Sequence, residues 1–243
     1  MTRRVPLDNV EHAQLRLIDR PSVDACVNQT LIVPPEFEEL QREFPILFRR
    51  DEDGDFLAVA ILGLDRGENL FLVNGAWNGR TIPATLRRGP FFLAVAGEEE
   101  EADEAHDAAL VIDLDDERVS ESEGDPLFLS HGGAAPVLQR AAEALRTVHG
   151  GLEQSRTMFA LFAELELIAP VEIEIDLGDG TNYRLADFFT ISSEGLSSLG
   201  GGALEQLNRS GFLAPAIHAR SSLANINRLV ELKTRKLASA VDA

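Results

Sequence analysis

FPILFRR (44–50), DFLAVAILGLDRGENLFLVNGAW (55–77) and TIPATLRRGPFF (81–92) hold the longest apolar runs of the chain, its only tryptophan and two Arg-Arg pairs. Residues 56–64 are too continuously apolar for a strand with one wet face, so they read as a strand buried on both sides. Asp53-Gly54 before them is a hairpin signal, because glycine takes positive φ at no steric cost. Residues 66–69 make the next turn. Residues 70–73 return as a third strand, closed by Asn74-Gly75, and 91–96 follow Pro90 as a fourth. Spacing this short demands antiparallel pairing, since a parallel crossover needs a dozen residues or more. The stretch therefore reads as a compact β-rich core.

Upstream, Leu15 and Leu17 flank Arg16, and Thr30 to Val33 form a short apolar run; both read as strands. Pro34 and Pro35 stop the second and open a helix, with Phe37, Leu40 and Phe44 at helical spacing and Glu36, Glu38 and Glu39 at its positive end. Downstream, GEEEEADEAHD (97–107) is too densely acidic to pack and reads as a solvated loop. Residues 109–114 read as a strand and 115–125 as a surface loop. From 136 to 167 apolar residues recur at helical spacing with a phase that survives Gly150-Gly151, giving one long helix or two coaxial ones kinked there. VEIEIDL (171–177) alternates strictly and turns at 178–180, a hairpin with one wet face. A short strand at 188–191, a Ser-capped helix, a flexible joint at Gly200-Gly201-Gly202, a helix at 203–209 ended by Gly211, and a last helix at 215–237 complete the reading. In that last helix Leu223, Ile226, Val230 and Leu237 are expected inward, with Lys233, Arg235 and Lys236 at the negative terminus. The fold class is α+β: an antiparallel β-rich N-terminal part (1–130) packed with a helix-rich C-terminal part (131–243) containing one β-hairpin (171–185).

The 243 residues carry 22 Lys+Arg against 41 Asp+Glu, a net charge of −19. Such a surface repels phosphate backbones and anionic bilayers, which excludes broad nucleic-acid binding and disfavours membranes. One cysteine, Cys26, permits no intramolecular disulfide and no CxxC metal framework. The first twenty residues have no apolar run behind Arg3 and Arg4, and no window is apolar enough to span a bilayer. The expected location is the cytoplasm, with signal-less export left open.

Few side-chain patterns point to chemistry. The five histidines form no HxH or HExxH spacing. His131-Gly132-Gly133 could expose backbone N–H groups as an oxyanion hole does, but no GxSxG supplies a nucleophile, and a linker is the preferred reading. His106 sits in the acidic loop. Asp113, Asp115 and Asp116 follow a strand and could hold Mg²⁺ or Ca²⁺ through hard oxygens; a wet loop is the simpler reading. Asp51, Asp53 and Asp55 are explained by their hairpin. Cys26 beside Asp24 lacks a neighbour that would lower its pKa. What remains is Arg87 and Arg88 with Arg80 and Trp77. Arginine forks suit a carboxylate or phosphate and tryptophan gives an apolar platform, while internal salt bridges are the competing reading.

EFPILFRR (43–50), AILGLDRGENLFL (60–72), GAW (75–77), IPATLRRGPFFL (82–93), IDLDDERVSESEG (112–124), GLEQSR (151–156) and LVELK (229–233) together, in this order, resemble the SapC family of bacterial proteins. The resemblance extends from Leu7 to Lys236 and has no counterpart for the acidic loop. It implies no agreed catalytic residue, cofactor or substrate. The family takes its name from a member linked to the surface layer of Campylobacter-type bacteria. Its members resemble neighbours of TonB-dependent receptors, flavin-dependent halogenase-like proteins and cupin-like oxygenases, which implies an accessory role in uptake or tailoring. The leading expectation is a non-enzymatic, partner-binding accessory protein without a cofactor. The alternatives are a metal-assisted peptide or small-molecule tailoring enzyme, or a subunit of one, using Asp113, Asp115 and Asp116, and a surface-layer-associated protein.

Overall fold

A computed structural model of the chain describes residues 3–18, 20, 26–94, 110–178 and 180–241. The acidic loop with His106, the ends of the strands expected at 91–96 and 109–114, Asp24 and Asp179 lie outside the described residues. The architecture is mixed α+β with antiparallel sheets, β-rich in its N-terminal part and helical towards the C-terminus. Two compact units form, 1–25 with 84–147 and 26–83 with 148–243, so each draws on distant parts of the chain.

The first unit is built on a three-stranded sheet in which Leu110–Asp113 lies between Arg4–Pro6 and Phe91–Leu93. Phe91 pairs with Ile112. Both are fully buried and pack with Leu15, Leu127, Leu138 and Leu145. The stretch 115–125 is not a plain loop. It supplies Val119–Ser120 and Asp125–Pro126, which flank Arg16–Leu17 in a second small sheet. These pairings are only two residues long and leave no periodicity to read. Gly124 (φ +93°) makes them possible, since a Cβ there would lie 2.3 Å from the Leu17 carbonyl oxygen.

The second unit centres on a five-stranded antiparallel sheet in the order Ile168–Asp176, Asn182–Ile191, Ile46–Arg50, Phe56–Ile61, Gln29–Ile32. Phe56–Ile61 is an interior strand, and Ala58, Val59, Ala60 and Ile61 are buried, as its unbroken apolar run requires. The helix Pro136–Glu164 runs without a break. In this unit it places Phe159 edge-on to Phe48 at 5.0 Å and lays Gly151 against Val33.

Three expectations are corrected. Residues 70–73 do not join the main sheet, and 91–93 belong to the other unit, so 44–92 is not one compact core. Leu72–Val73 instead pairs with Ala76–Trp77 across Asn74-Gly75. Both turn residues have positive φ (51° and 73°), the I′ geometry that an Asn-Gly pair favours. The strand expected at 188–191 is continuous with the hairpin. A bulge opposite Glu172, with Asp187 at φ 65°, interrupts the register and hides that continuity in the sequence. Gly201 and Gly202 lie inside the helix Gly201–Arg209, with Gly200 as its N-cap, and form no joint.

The last helix is also divided, into Leu213–Ser221, a 3₁₀ turn at Ser222–Asn225, and Ile226–Val241. Ser222 explains the turn. Its fully buried hydroxyl donates to the Ala219 carbonyl at 2.7 Å and accepts the Ile46 amide at 2.8 Å. Ser222→Ala leaves that amide buried without a partner. The expected loss is about 1–3 kcal/mol, read as a lower urea midpoint at unchanged slope.

Candidate functional site

Glu43, at the end of the turn that precedes Pro45, is 2 % exposed. A carboxylate so placed is costly unless fully bonded. Its Oε2 accepts the main-chain N–H of Arg80 at 2.7 Å and of Thr81 at 3.1 Å; its Oε1 accepts from the Arg228 guanidinium at 3.1 Å. Glu43 thus ties the loop after Trp77 to the helix Ile226–Val241. Trp77 stacks on Phe71 (centroids 5.9 Å, planes 21° apart) and donates from Nε1 to the Thr81 carbonyl. Arg228 lies over the same Phe71 ring, 5.6 Å from its centroid. Gly79 must be small, because a Cβ would sit 2.8 Å from Trp77 Nε1. The outcome is a fixed rim on which Trp77 is half-buried and Arg80 is exposed.

A second charged group lies further along the same helix. Lys233 is 4 % exposed, and its Nζ donates to Asp65 at 2.5 Å and Glu68 at 2.8 Å. Lys236 also reaches Glu68, at 2.8 Å, and the Tyr183 hydroxyl donates to Asp65 at 3.4 Å. The second Glu68 oxygen accepts the amides of Leu64 and Asp65. Burial opposes charge on both Glu68 and Lys233. The hydrogen bonds outweigh it, holding the Glu68 carboxyl below and the Lys233 ammonium above their ordinary ranges. Leu229 and Lys233 are the side chains this helix fully buries among those described. Lys233 is therefore not the solvated terminal cation that its position suggested, and Leu237 is exposed rather than inward. The 3₁₀ turn resets the helical phase, and the buried Glu68 with the exposed Asp65 draws the lysine in.

Trp77 and Arg80 belong to the second unit, Arg87 and Arg88 to the first. Arg87 ends the short helix Ala84–Arg87 and is exposed. Arg88 donates to the Phe91 carbonyl at 2.8 Å and lies 4.3 Å from the Phe92 centroid. Asp113 ends the strand Leu110–Asp113, and Asp115 and Asp116 follow it. Asp113 accepts the Asp115 amide, and Asp116 grips Arg118 through both oxygens at 2.8 and 2.7 Å, which holds its carboxyl below the usual range against the effect of burial. Asp115 is exposed. Among the described residues no group of three or more His, Cys, Asp or Glu is arranged to hold a metal ion. His131-Gly132-Gly133 is a tight turn closed by Gly132 N–H to Leu129 and Leu129 N–H to Gly133, so it offers no oxyanion hole from those amides. Cys26 is exposed.

Glu43, Asp65, Glu68 and Arg228 were not singled out by sequence reasoning. The available signal was a lone carboxylate placed inside or beside an apolar run: Glu43 before FPILF, and Glu68 before NLFL. Five of these positions, Glu43, Asp65, Glu68, Trp77 and Lys233, fall in the stretches EFPILFRR, AILGLDRGENLFL, GAW and LVELK. The fold brings them together on one helix and the loops beneath it.

No helix among the described residues is long and apolar enough to cross a membrane. No curated protein and no solved structure matches the chain. A family model, SapC, matches residues 7–229, from the expected start to just short of the expected end at Lys236. A match over that share of the 243 residues establishes that the chain belongs to the SapC family.

Proposed function

We propose that this chain is a non-enzymatic accessory protein that binds a protein or peptide partner through the rim formed by Trp77 and Arg80. One observation carries the reading. The Glu43 carboxylate clamps the main chain of Arg80 and Thr81, so an exposed arginine is carried three residues from a half-buried tryptophan on a loop held at its backbone. Preorganisation of this kind lowers the entropic cost of binding. Arginine and tryptophan are also the side chains that most often dominate interface energies. The buried charges support the same reading from the other side. Glu43 with Arg228, Glu68 with Lys233 and Lys236, and Asp116 with Arg118 are spent on internal pairs that hold the units in shape. The group recognised is an acidic one, such as a peptide carboxylate. Family resemblance nominates TonB-dependent receptor, halogenase-like and cupin-like neighbours as partners; the expected place of action, read from the sequence pattern, is the cytoplasm.

Trp77→Ala with Arg80→Gln tests it. In pull-downs from the native host, the double variant loses about tenfold or more of the recovered partner, as expected for a hot-spot pair. Arg80→Gln alone should lose most of the recovery and melt close to the parent, because the Arg80 N–H bond to Glu43 is a main-chain bond, whereas Trp77→Ala also gives up the Phe71 stack and the bond to Thr81 and melts lower. Undiminished recovery would refute the proposal. Arg87→Gln with Arg88→Gln asks separately whether the first unit contributes to partner recovery, and fractionation of the host reads the location.

A further inference from the structure

The outermost strand of the second unit, Ile168–Asp176, makes eight register pairs with Asn182–Ile191. Among the described residues its other edge is bonded to nothing. Every second residue of such a strand turns its N–H and C=O away from its neighbour, which is a template for another strand; Pro170 has no N–H and offers at most a carbonyl, so one donor of the strand is missing. The hairpin is held in place at its far end, where Tyr183 bonds Asp65 and lies 5.5 Å from the Lys233 ammonium. The hairpin is therefore tied to the body of the unit near its turn as well as through the main sheet.

Its side chains define what would fit. Val171, Ile173 and Ile175 face inward, while Glu172, Glu174 and Asp176 are exposed on the opposite face. One cation answers these three carboxylates: Arg184, opposite Glu174 in register and ion-paired with Glu172. A strand laid along this edge would carry alternate side chains onto the same face, beside the carboxylates, at about 7 Å intervals. A second copy of this chain would bring its own glutamates into that row and be repelled. We propose that the outer edge of Ile168–Asp176 takes up an extended basic segment of a partner protein by strand addition, with lysine or arginine at alternate positions. This surface is separate from the Trp77–Arg80 rim and does not depend on it.

A synthetic heptapeptide alternating lysine with valine or threonine is the probe. The control has proline at its central position, which keeps the charge and removes the ladder. Hydrogen exchange on the intact chain should slow at alternate amides of 168–176 by about tenfold or more when the peptide is bound, as new ladder bonds require. The proline control should bind about tenfold more weakly, on the order of one or two lost ladder bonds. Glu172→Gln with Glu174→Gln, both exposed, should weaken uptake about tenfold or more and leave the melting temperature close to the parent's, because the exposed pair with Arg184 is worth little and no like charges are set opposite it. The proposal is overturned if the proline control binds equally well, which would mean diffuse attraction to an acidic surface. It is also overturned if protection appears elsewhere, or if the peptide does not bind, in which case the carboxylates serve only to block pairing.

Discussion

Gly151→Ala destabilises this protein although alanine is the better helix former, and Gly150→Ala, one residue away, stabilises it. In a helix interior the exchange of glycine for alanine is worth about 0.5–1 kcal/mol in alanine's favour. At Gly150 nothing lies within 4 Å of the added Cβ, so that gain is realised. At Gly151 the Cβ would stand 2.4 Å from Val33 Cβ and 2.5 Å from its Cγ2. Val33 is fully buried and cannot swing away. Overpacking of a closed core costs typically 1–3 kcal/mol, which exceeds the propensity gain, and Gly151→Val sits at or beyond the top of that range. Urea unfolding of the two alanine variants should move their midpoints in opposite directions. Equal midpoints would show that the helix stands further from Val33 than described.

The other large effect belongs to Lys233→Met. Removing the ammonium leaves the buried Glu68 carboxylate with Lys236 as its remaining cation and Asp65 with the Tyr183 hydroxyl. Breaking a buried pair from one side costs about 3–5 kcal/mol, and Lys236 keeps the loss near the lower end. Adding Glu68→Leu to that variant should recover part of it, because the uncompensated charge is gone. The pH dependence has a fixed sign. Glu68 is held below its ordinary value, so its contribution is present above the unfolded value and is lost as pH falls through the folded one. Lys233 is held above its ordinary value, so its contribution is full below the unfolded value and is lost as pH rises through the folded one, beyond the ordinary lysine range. Stability is therefore flat around neutrality in this respect and falls in acid. In Lys233→Met the acid limb should shrink, since protonating Glu68 then relieves an unpaired charge. An acid limb of unchanged size would remove the Glu68–Lys233 pair from the account.

These two cases also show what the sequence discloses and what it does not. The unbroken apolar phase across Gly150-Gly151 identified the long helix, but the two glycines look identical until Val33 is placed beside one of them. The hairpin of VEIEIDL and the interior strand 56–61 were legible because burial writes a period, or its absence, directly into the residues. The bulge at Asp187, the two-residue strands around Arg16–Leu17 and the split of the last helix were not, because one backbone angle or one buried hydroxyl decides each. At the candidate site, Trp77 and Arg80 were visible as an aromatic with a cation in an acidic chain. Glu43 was not, because what makes it important is a pair of main-chain amides 37 and 38 residues away. The three aspartates at 113–116 read as a cluster in sequence, yet Asp116 is committed to Arg118, and adjacency alone could not reveal that.

The most direct measurement places a photo-reactive residue at Asn78, exposed on the loop between Trp77 and Arg80, and a second, as control, at exposed Glu205. Irradiation in the native host should give one discrete adduct from position 78, absent from position 205 and abolished by Arg80→Gln, while the melting temperature stays at the parent's value. The same adduct from both positions, or one that survives Arg80→Gln, would contradict the claim that this rim is where the SapC-family chain meets its partner.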